Sequence, residues 1–342
     1  MQWPCKILLE KRTLFSRATR KFCSFTGIAS ESLYKRYNFS QYDVIFSHFG
    51  YRAWRDLQYV KNEKIKKVVR FYGCDVGYTP KQPGWREKYK IIFEEYDLLL
   101  CEGPYMAKEL ENLGAPKEKI HWLYLGIDPT TIATELLDTE LYLDPLRLLV
   151  AGTFTEKKGI EYALEGIFQF ACRSGHRVKL TIVGDAHESV PEQIETKKRI
   201  LAKIAELRKL NNIDVIQTGY VPLSKLVNMM RESLVFLSPS ITASDGDIEG
   251  GFPVTLTHAA AQGMILIGTD HCDLPEIVRH GENGFICKQR SAEDICSALE
   301  TIMEMKSSSL HEFRKKSQEI VKVRFDQSKL SIKLYDMLRL EI

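Results

Sequence analysis

The sequence has eight cysteines, at 5, 23, 74, 101, 172, 272, 287 and 296, and no two of them stand as Cys-x-x-Cys. That spacing excludes a zinc ribbon and a dithiol redox motif. Several fall in apolar runs such as LLLCEG, so they read as reduced, buried thiols of a cytosolic protein. No apolar run approaches the roughly 18 residues that a membrane-spanning helix needs. The N-terminal stretch does not read as a secretory leader, because its apolar run is only ILL and charges follow it at once. Charge of one sign is scarce. Lys and Arg number 48 and Asp and Glu 45, and a net charge of +3 is too small to argue for nucleic acid. Internal repeats and low-complexity segments are absent.

What is present is an ordinary globular composition, 44% apolar and 27% charged over 342 residues. At about 150 residues per domain that length implies roughly two domains. Residues 1–22 carry six Lys/Arg against one Glu. Such a segment reads either as a solvated helix or as a basic helix lying on an anionic membrane surface.

Short apolar runs alternate with helical patterns in two series. The first has DVIFS (43–47), KKVVRF (66–71) and YDLLLCE (96–102), then a helix over 103–114 and the run KIHWLYL. The second has LRLLVAG, RVKLTIVG, IDVIQTG, SLVFLSPS, MILIGTD and NGFIC. The longest helical pattern covers Ile194–Leu210, with apolar residues at 194, 200, 201, 204, 207 and 210. Val-, Ile- and Leu-rich strands alternating with helices predict an α/β protein of parallel sheets covered on both faces. The stretch 126–145 has no strand pattern and separates the series. Two doubly wound, Rossmann-like domains are expected, with ligand bound at the carboxyl ends of the strands, in the cleft between the domains.

The densest chemistry lies in SDGDIEGGFPVTLTHAAAQG (244–263). Its first part is a loop after the strand LVFLS, and its second opens a helix for which Pro253 suits the first turn. Gly250 and Gly251 would let backbone amides approach a ligand, and a helix start favours a phosphate. Glu249 and Asp247 beside them would suit the hydroxyls of a sugar joined to that phosphate. The alternative is a glycine-rich turn with two acids placed on a helix dipole. A second loop, GTFTEKKG (152–159), brings Lys157 and Lys158 to a strand end, where they could reach a diphosphate. A third, TIVGDA, supplies Gly184 and Asp185. His48 follows the first strand and could face the cleft. His271 and Cys272 are adjacent, and adjacent side chains are expected to point apart, so no metal site is expected there.

Together these segments resemble the retaining glycosyltransferases of the GT-B fold, family four, and most of all the bacterial branch that builds capsule, exopolysaccharide and O-antigen chains. GTFTEKKG, TIVGDA, GYVPLSKL (219–226) and the long stretch 245–287 carry the resemblance. FSHFG (46–50), FYGCD (71–75), 101–120 and LGID (125–128) support it. The resemblance implies a first domain over 1–126 that faces the acceptor and is shortened at its start. It implies a donor-binding domain over 127–324 and a helix over 325–342 that packs back on the first domain. It implies catalytic roles for Glu249, on the donor sugar, and for Lys158, on the leaving diphosphate, with His48 as a third candidate. Gly152, Thr153, Thr155, Gly184, Asp185, Val221, Gly250, Gly251, Phe252, Pro253 and His258 are expected around the nucleotide sugar. His258 stands where relatives carry a ribose-binding glutamate, and Thr153 and Thr155 where they carry a basic partner of Lys158.

The implied donor is a nucleotide-diphosphate sugar, UDP- or GDP-linked, with no cofactor or metal. The implied acceptor is a glycan or a lipid-linked oligosaccharide, met in the cytoplasm at the inner membrane face. Nucleic acid is not an expected partner. A nucleotide-binding relative without turnover, serving as a partner or regulatory subunit, and a GT-B phosphorylase or epimerase are the alternative functions.

Overall fold

The computed structural model describes residues 42–60 and 64–338. The basic segment 1–22 and the expected shortening of the first domain lie outside the described residues.

The first sheet is parallel, with strands β1 (Val44–His48), β2 (Lys66–Arg70), β3 (Leu98–Cys101) and β4 (Ile120–Trp122) in sequential order. Helices α1 (Gly50–Leu57), α2 (Cys74–Gly77), α3 (Trp85–Glu95) and α4 (Pro104–Asn112) lie between them. Ala53, Ile92, Phe93, Met106 and Leu110 from three of these helices close over Val69, Leu99 and Cys101. The opposite face presents Val68, Leu98 and Leu100. A sequential order puts the covering helices on one face, and no strand reversal occurs among the described residues of this sheet.

The second sheet has six parallel strands: β5 (Leu146–Ala151), β6 (Val178–Val183), β7 (Ile213–Gln217), β8 (Val235–Ser238), β9 (Ile265–Thr269) and β10 (Gly284–Cys287). Their order is β10-β9-β8-β5-β6-β7, so the chain reverses direction across the sheet between β5 and β8. Helices α5 (Ile160–Ser174), α6 (Pro191–Leu207) and α9 (Ala292–Glu304) cover one face. Helices α7 (Leu223–Arg231), α8 (Val254–Ala261) and α10 (Ser307–Arg324) cover the other. Alternate residues of one strand feed the two cores. Leu148 and Val150 join the first, and Leu149 between them joins the second. Burial on both faces is why these strands read as unbroken apolar runs.

The expected helix 194–210 begins earlier, at Pro191, because proline is well suited to a first helical position. It buries Thr196, Ile200, Ile204 and Leu207 at helical spacing, while Leu201 is left exposed. Helix α11 (Gln327–Leu338) returns to the first sheet. Its Leu334, Met337 and Leu338 pack on Val68, Leu98 and Leu100, and Lys66 Nζ donates to the Met337 carbonyl at 2.9 Å. The two stretches of chain that cross between the sheets run side by side. The Ile127 amide donates to the Phe325 carbonyl (2.9 Å) and the Gln327 amide to the Ile127 carbonyl (3.0 Å).

The loops after β5 and β6 meet backbone to backbone. Gly184 adopts φ +132°, and a Cβ there would overlap the Gly152 carbonyl oxygen. Gly175, which caps α5 at φ +68°, has open space around it. Gly175→Ala is expected to cost about 1–2 kcal/mol, the penalty of a left-handed residue. Gly184→Ala should cost at least about 3 kcal/mol, since its backbone region is essentially restricted to glycine and the added methyl also clashes. Urea unfolding of the two variants measures the difference, and equal losses would show that the Gly152 contact is unimportant.

Candidate functional site

The reversal between β5 and β8 sets the loops after these two strands beside each other, and the groups singled out from sequence meet there. After β5 a short 3-10 turn, Glu156–Lys158, ends at Gly159 in the left-handed region. It presents both lysines to the loop after β8. Lys158 Nζ lies 2.8 Å from Glu249 Oε1, and Ser240 Oγ donates to the same oxygen at 3.1 Å. Lys157 Nζ pairs with Asp247 at 3.0 Å and donates to the Ile248 carbonyl at 3.1 Å. The Ile241 amide donates to the Lys157 carbonyl at 2.8 Å and ties the two loops at their base. Burial by itself would raise the Glu249 carboxyl, but Lys158 and Lys157 outweigh it and hold the group below the ordinary carboxylate range. Burial likewise opposes the Lys157 charge, and Glu249 and Asp247 more than restore it.

The other expected donor-side residues ring this pair. Gly152 lies against the Lys158 side chain and Thr155 Oγ1 is buried without a hydrogen-bond partner. Thr153 Oγ1 accepts from Tyr220 Oη at a long 3.5 Å. Gly184 sits against Gly152, whereas Asp185 is turned to Lys197, 2.6 Å away on α6. Tyr220, half exposed, stacks on His187 at 5.5 Å, and the half-buried Val221 packs on the core below. His258 is on α8, nearly buried, with Nδ1 lacking a partner, and burial lowers its pKa. Its helical neighbour Thr257 is fully buried, and its Oγ1 also has no partner.

One expectation needs correction. Pro253 is not in the first turn of α8 but caps it, at φ −60° and ψ 130°, with the helix starting at Val254. The Phe252 ring packs into the core, meeting Phe325 edge-on at 5.3 Å, whereas the donor contact expected of this residue is through its backbone amide. The glycine pair faces the first domain. A Cβ on Gly250, which has φ +83°, would overlap Met106 Cε, and one on Gly251 would lie 2.7 Å from Glu102 Oε2. These glycines let the two domains touch.

From the first domain, the loop after β2 reaches the same place. The buried Asp75 gathers the amides of Gly50 (2.9 Å), Tyr72 (2.8 Å) and Gly73 (3.1 Å), which bends the loop so that Gly73 abuts the Glu249 backbone. His48 is exposed and lies apart from the ion pair. Its Nδ1 makes a very short contact with Tyr72 Oη, and Arg70 stands over the Tyr72 ring. Partial burial, with Arg70 and Arg52, lowers the His48 pKa.

Sequence reasoning missed two carboxylates at this seam. Glu102 directly follows β3 and lies against Gly251 across the seam. Asp273 answers it from the other side, accepting from the Tyr105 amide at 2.8 Å, at the start of α4. Position at a strand's carboxyl end was a signal for Glu102. Asp273 had none, since its partner is 168 residues away.

Burial pushes Glu102 up to about 8 and Asp273 up to about 6. The folded protein therefore keeps the Glu102 proton at pH values where the unfolded chain has released it. Stability from this group is fully present below the ordinary carboxyl range and falls as pH rises to about 8. Glu102→Gln should flatten the pH dependence of thermal melting between about pH 5 and 8 and make the variant the more stable form at the upper end. Parallel wild-type and variant curves would contradict a buried Glu102 proton.

The chain has known counterparts. The family model described as Glycosyltransferase Family 4 matches residues 7–131, and the model described as Glycosyl transferases group 1 matches residues 135–320. Amylovoran biosynthesis glycosyltransferase AmsK of Erwinia amylovora is 29% identical over 263 residues, which cover 75% of this chain. The same match spans 60% of AmsK. Among solved structures, Anabaena Alr3699/HepE in complex with UDP aligns with TM-score 0.74 at 16% identity, over 90% of this chain and 81% of that one. Sucrose-phosphate synthase (tll1590) from Thermosynechococcus elongatus aligns with TM-score 0.72 at 16% identity, over 96% and 79%. At such identities the structural likeness shows the fold, which is GT-B. With more than half of its length matched by one family model, the chain belongs to the glycosyl transferases group 1 family.

Proposed function

We propose that this protein is a retaining glycosyltransferase that moves a sugar from a nucleotide-diphosphate donor to a growing glycan or lipid-linked acceptor in exopolysaccharide, capsule or O-antigen synthesis. The observation that carries the reading is the Lys158–Glu249 pair, at the reversal point of the second sheet and against the first domain. Reversal points of parallel sheets are where such folds bind ligands. The relation to AmsK, a glycosyltransferase of amylovoran biosynthesis, supports the choice of product class.

In this reading Lys158 exchanges its contact with Glu249 for the donor diphosphate, and Glu249 accepts hydrogen bonds from hydroxyls of the donor sugar. An acceptor hydroxyl attacks the anomeric carbon on the face from which the diphosphate departs. The bond from that carbon to the phosphate oxygen breaks, the new glycosidic bond forms, and the hydroxyl proton passes to the departing phosphate oxygen. Lys158 and Lys157 stabilise the charge that develops on the leaving group, in a place from which water is largely excluded. Neutral His258 offers its unpartnered nitrogen to a ribose hydroxyl. No described helix is long and apolar enough to cross a membrane. A lipid-linked acceptor would be met by association with the inner membrane face, with residues 1–22 as the basic contact.

Release of free nucleotide from a panel of UDP- and GDP-sugars, with and without glycan acceptors, tests the activity. With a donor identified, Glu249→Gln should lower turnover about 100-fold or more, the loss of a charge-assisted contact in the transition state. Near-wild-type turnover would remove Glu249 from its role. Lys158→Ala should weaken binding of the nucleoside diphosphate by about 1.5–3 kcal/mol, as for a hydrogen bond to a charged group. Calorimetry should find the unphosphorylated nucleoside unaffected, and equal losses for both ligands would mean the loop has collapsed. Nucleotide binding without release from any donor would favour a non-catalytic partner protein.

A further inference from the structure

The Glu249 backbone is held by a buried histidine that lies outside the donor-facing residues. His271, 1% exposed, follows β9, and its Nε2 lies 3.2 Å from the Glu249 amide nitrogen. An amide can only donate, so Nε2 must be bare. One further contact requires the same tautomer, and another is compatible with it. Nδ1 lies 3.3 Å from Gln289 Oε1, and that oxygen is itself fixed as an acceptor by the Thr242 amide at 2.8 Å. Nδ1 must therefore carry the hydrogen. Cys272 Sγ lies 3.1 Å from Nε2. Burial raises the Cys272 pKa, which keeps the sulfur an S–H donor, suited to a bare nitrogen. The expectation that these adjacent side chains point apart fails because Cys272 adopts φ +48° and turns its thiol back onto the ring. Among the described residues no group of His, Cys, Asp and Glu could hold a metal ion.

We propose that His271, fixed by Gln289 in the tautomer protonated on Nδ1, is a positioning residue for Glu249. A proton on Nε2, from tautomer exchange or from acid, would set two N–H groups against each other and displace the Glu249 loop. The same segment braces the loop again two residues on, where the Asp273 amide donates to the Gly251 carbonyl at 3.3 Å. His271 is faced by the Glu249 and Asp270 carboxylates, which raise its pKa, and by Lys157, which lowers it. Gln289 and the Cys272 thiol complete its surroundings. Burial outweighs the carboxylates and keeps the ring neutral.

The inference rests on the donor-site role proposed for Glu249, and the test separates the two. Long-range proton–nitrogen NMR on protein labelled with nitrogen-15 histidine reads the His271 tautomer without any substrate. It should show Nδ1–H in the wild type and a mixture in Gln289→Leu. An Nε2–H wild type overturns the proposal. Turnover is then followed with whichever of UDP-glucose and GDP-mannose releases nucleotide, or, if neither does, with the donor the panel identifies. His271→Leu should lower kcat roughly tenfold or more with little change in donor KM, and His271→Gln, whose carbonyl can still accept from the Glu249 amide, should restore most of it. In the Glu249→Gln background His271→Leu should add less than about twofold, because residues acting as one unit are not additive. Losses that multiply would mean that His271 acts on the fold and not through Glu249. Gln289→Glu should move the acid limb of the pH–rate profile to higher pH, since a carboxylate beside Nδ1–H raises the imidazole pKa; an unmoved limb also overturns the proposal. A silent Glu249→Gln would instead defeat the functional reading and leave the tautomer result standing.

Discussion

A carboxylate removed from water must be paired, or it will take up a proton. Glu249 is such a group, and much of the edge at the carboxyl ends of the second sheet's strands is arranged around it. Lys158 supplies the counter-charge, Ser240 a hydrogen bond, and Lys157 a second positive charge tied to the same loop. These partners come from the loops after β5 and β8, which lie side by side only because the sheet reverses direction between those strands. The local charge balance therefore depends on strand order. A sheet ordered sequentially, as in the described part of the first domain, would have set these loops apart.

The first domain closes the remaining side. Gly250 and Gly251 leave out the side chains that would hold the domains apart, and Gly73, Met106 and Glu102 fill the place. The contact runs both ways: Glu102 lies against Gly251 of the second domain, and Asp273 accepts from an amide at the start of a first-domain helix. Both carboxyls have pKa values raised by burial, so the seam has an electrostatic cost that grows with pH. Elsewhere the two domains are joined by the paired crossing strands, by α11, and by Arg324, which bonds Tyr124 at 2.7 Å and the Glu276 carbonyl at 2.6 Å. The part of the interface beside Glu249 is thus the part whose stability depends on pH.

The strands and most of the loop chemistry are legible in the amino-acid sequence. Strands buried on both faces must be apolar throughout, so nearly every one could be read directly, as with LRLLVA at β5. Helix starts shifted by a few residues where proline was decisive, at Pro191 and Pro253. The acids, lysines and glycines of the two principal loops were legible because each follows a strand. What each of them touches was not, because it follows from the packing of distant segments. The pairing of Lys158 with Glu249 spans 91 positions and that of Tyr105 with Asp273 spans 168. No local pattern encodes such distances. For His271, too, the tautomer is set by distant partners, the Glu249 amide and the Gln289 oxygen. The physical reason is that hydrophobic periodicity is a property of neighbouring residues, whereas a hydrogen bond or ion pair depends on which chain segments the packed sheets bring within about 3 Å of each other.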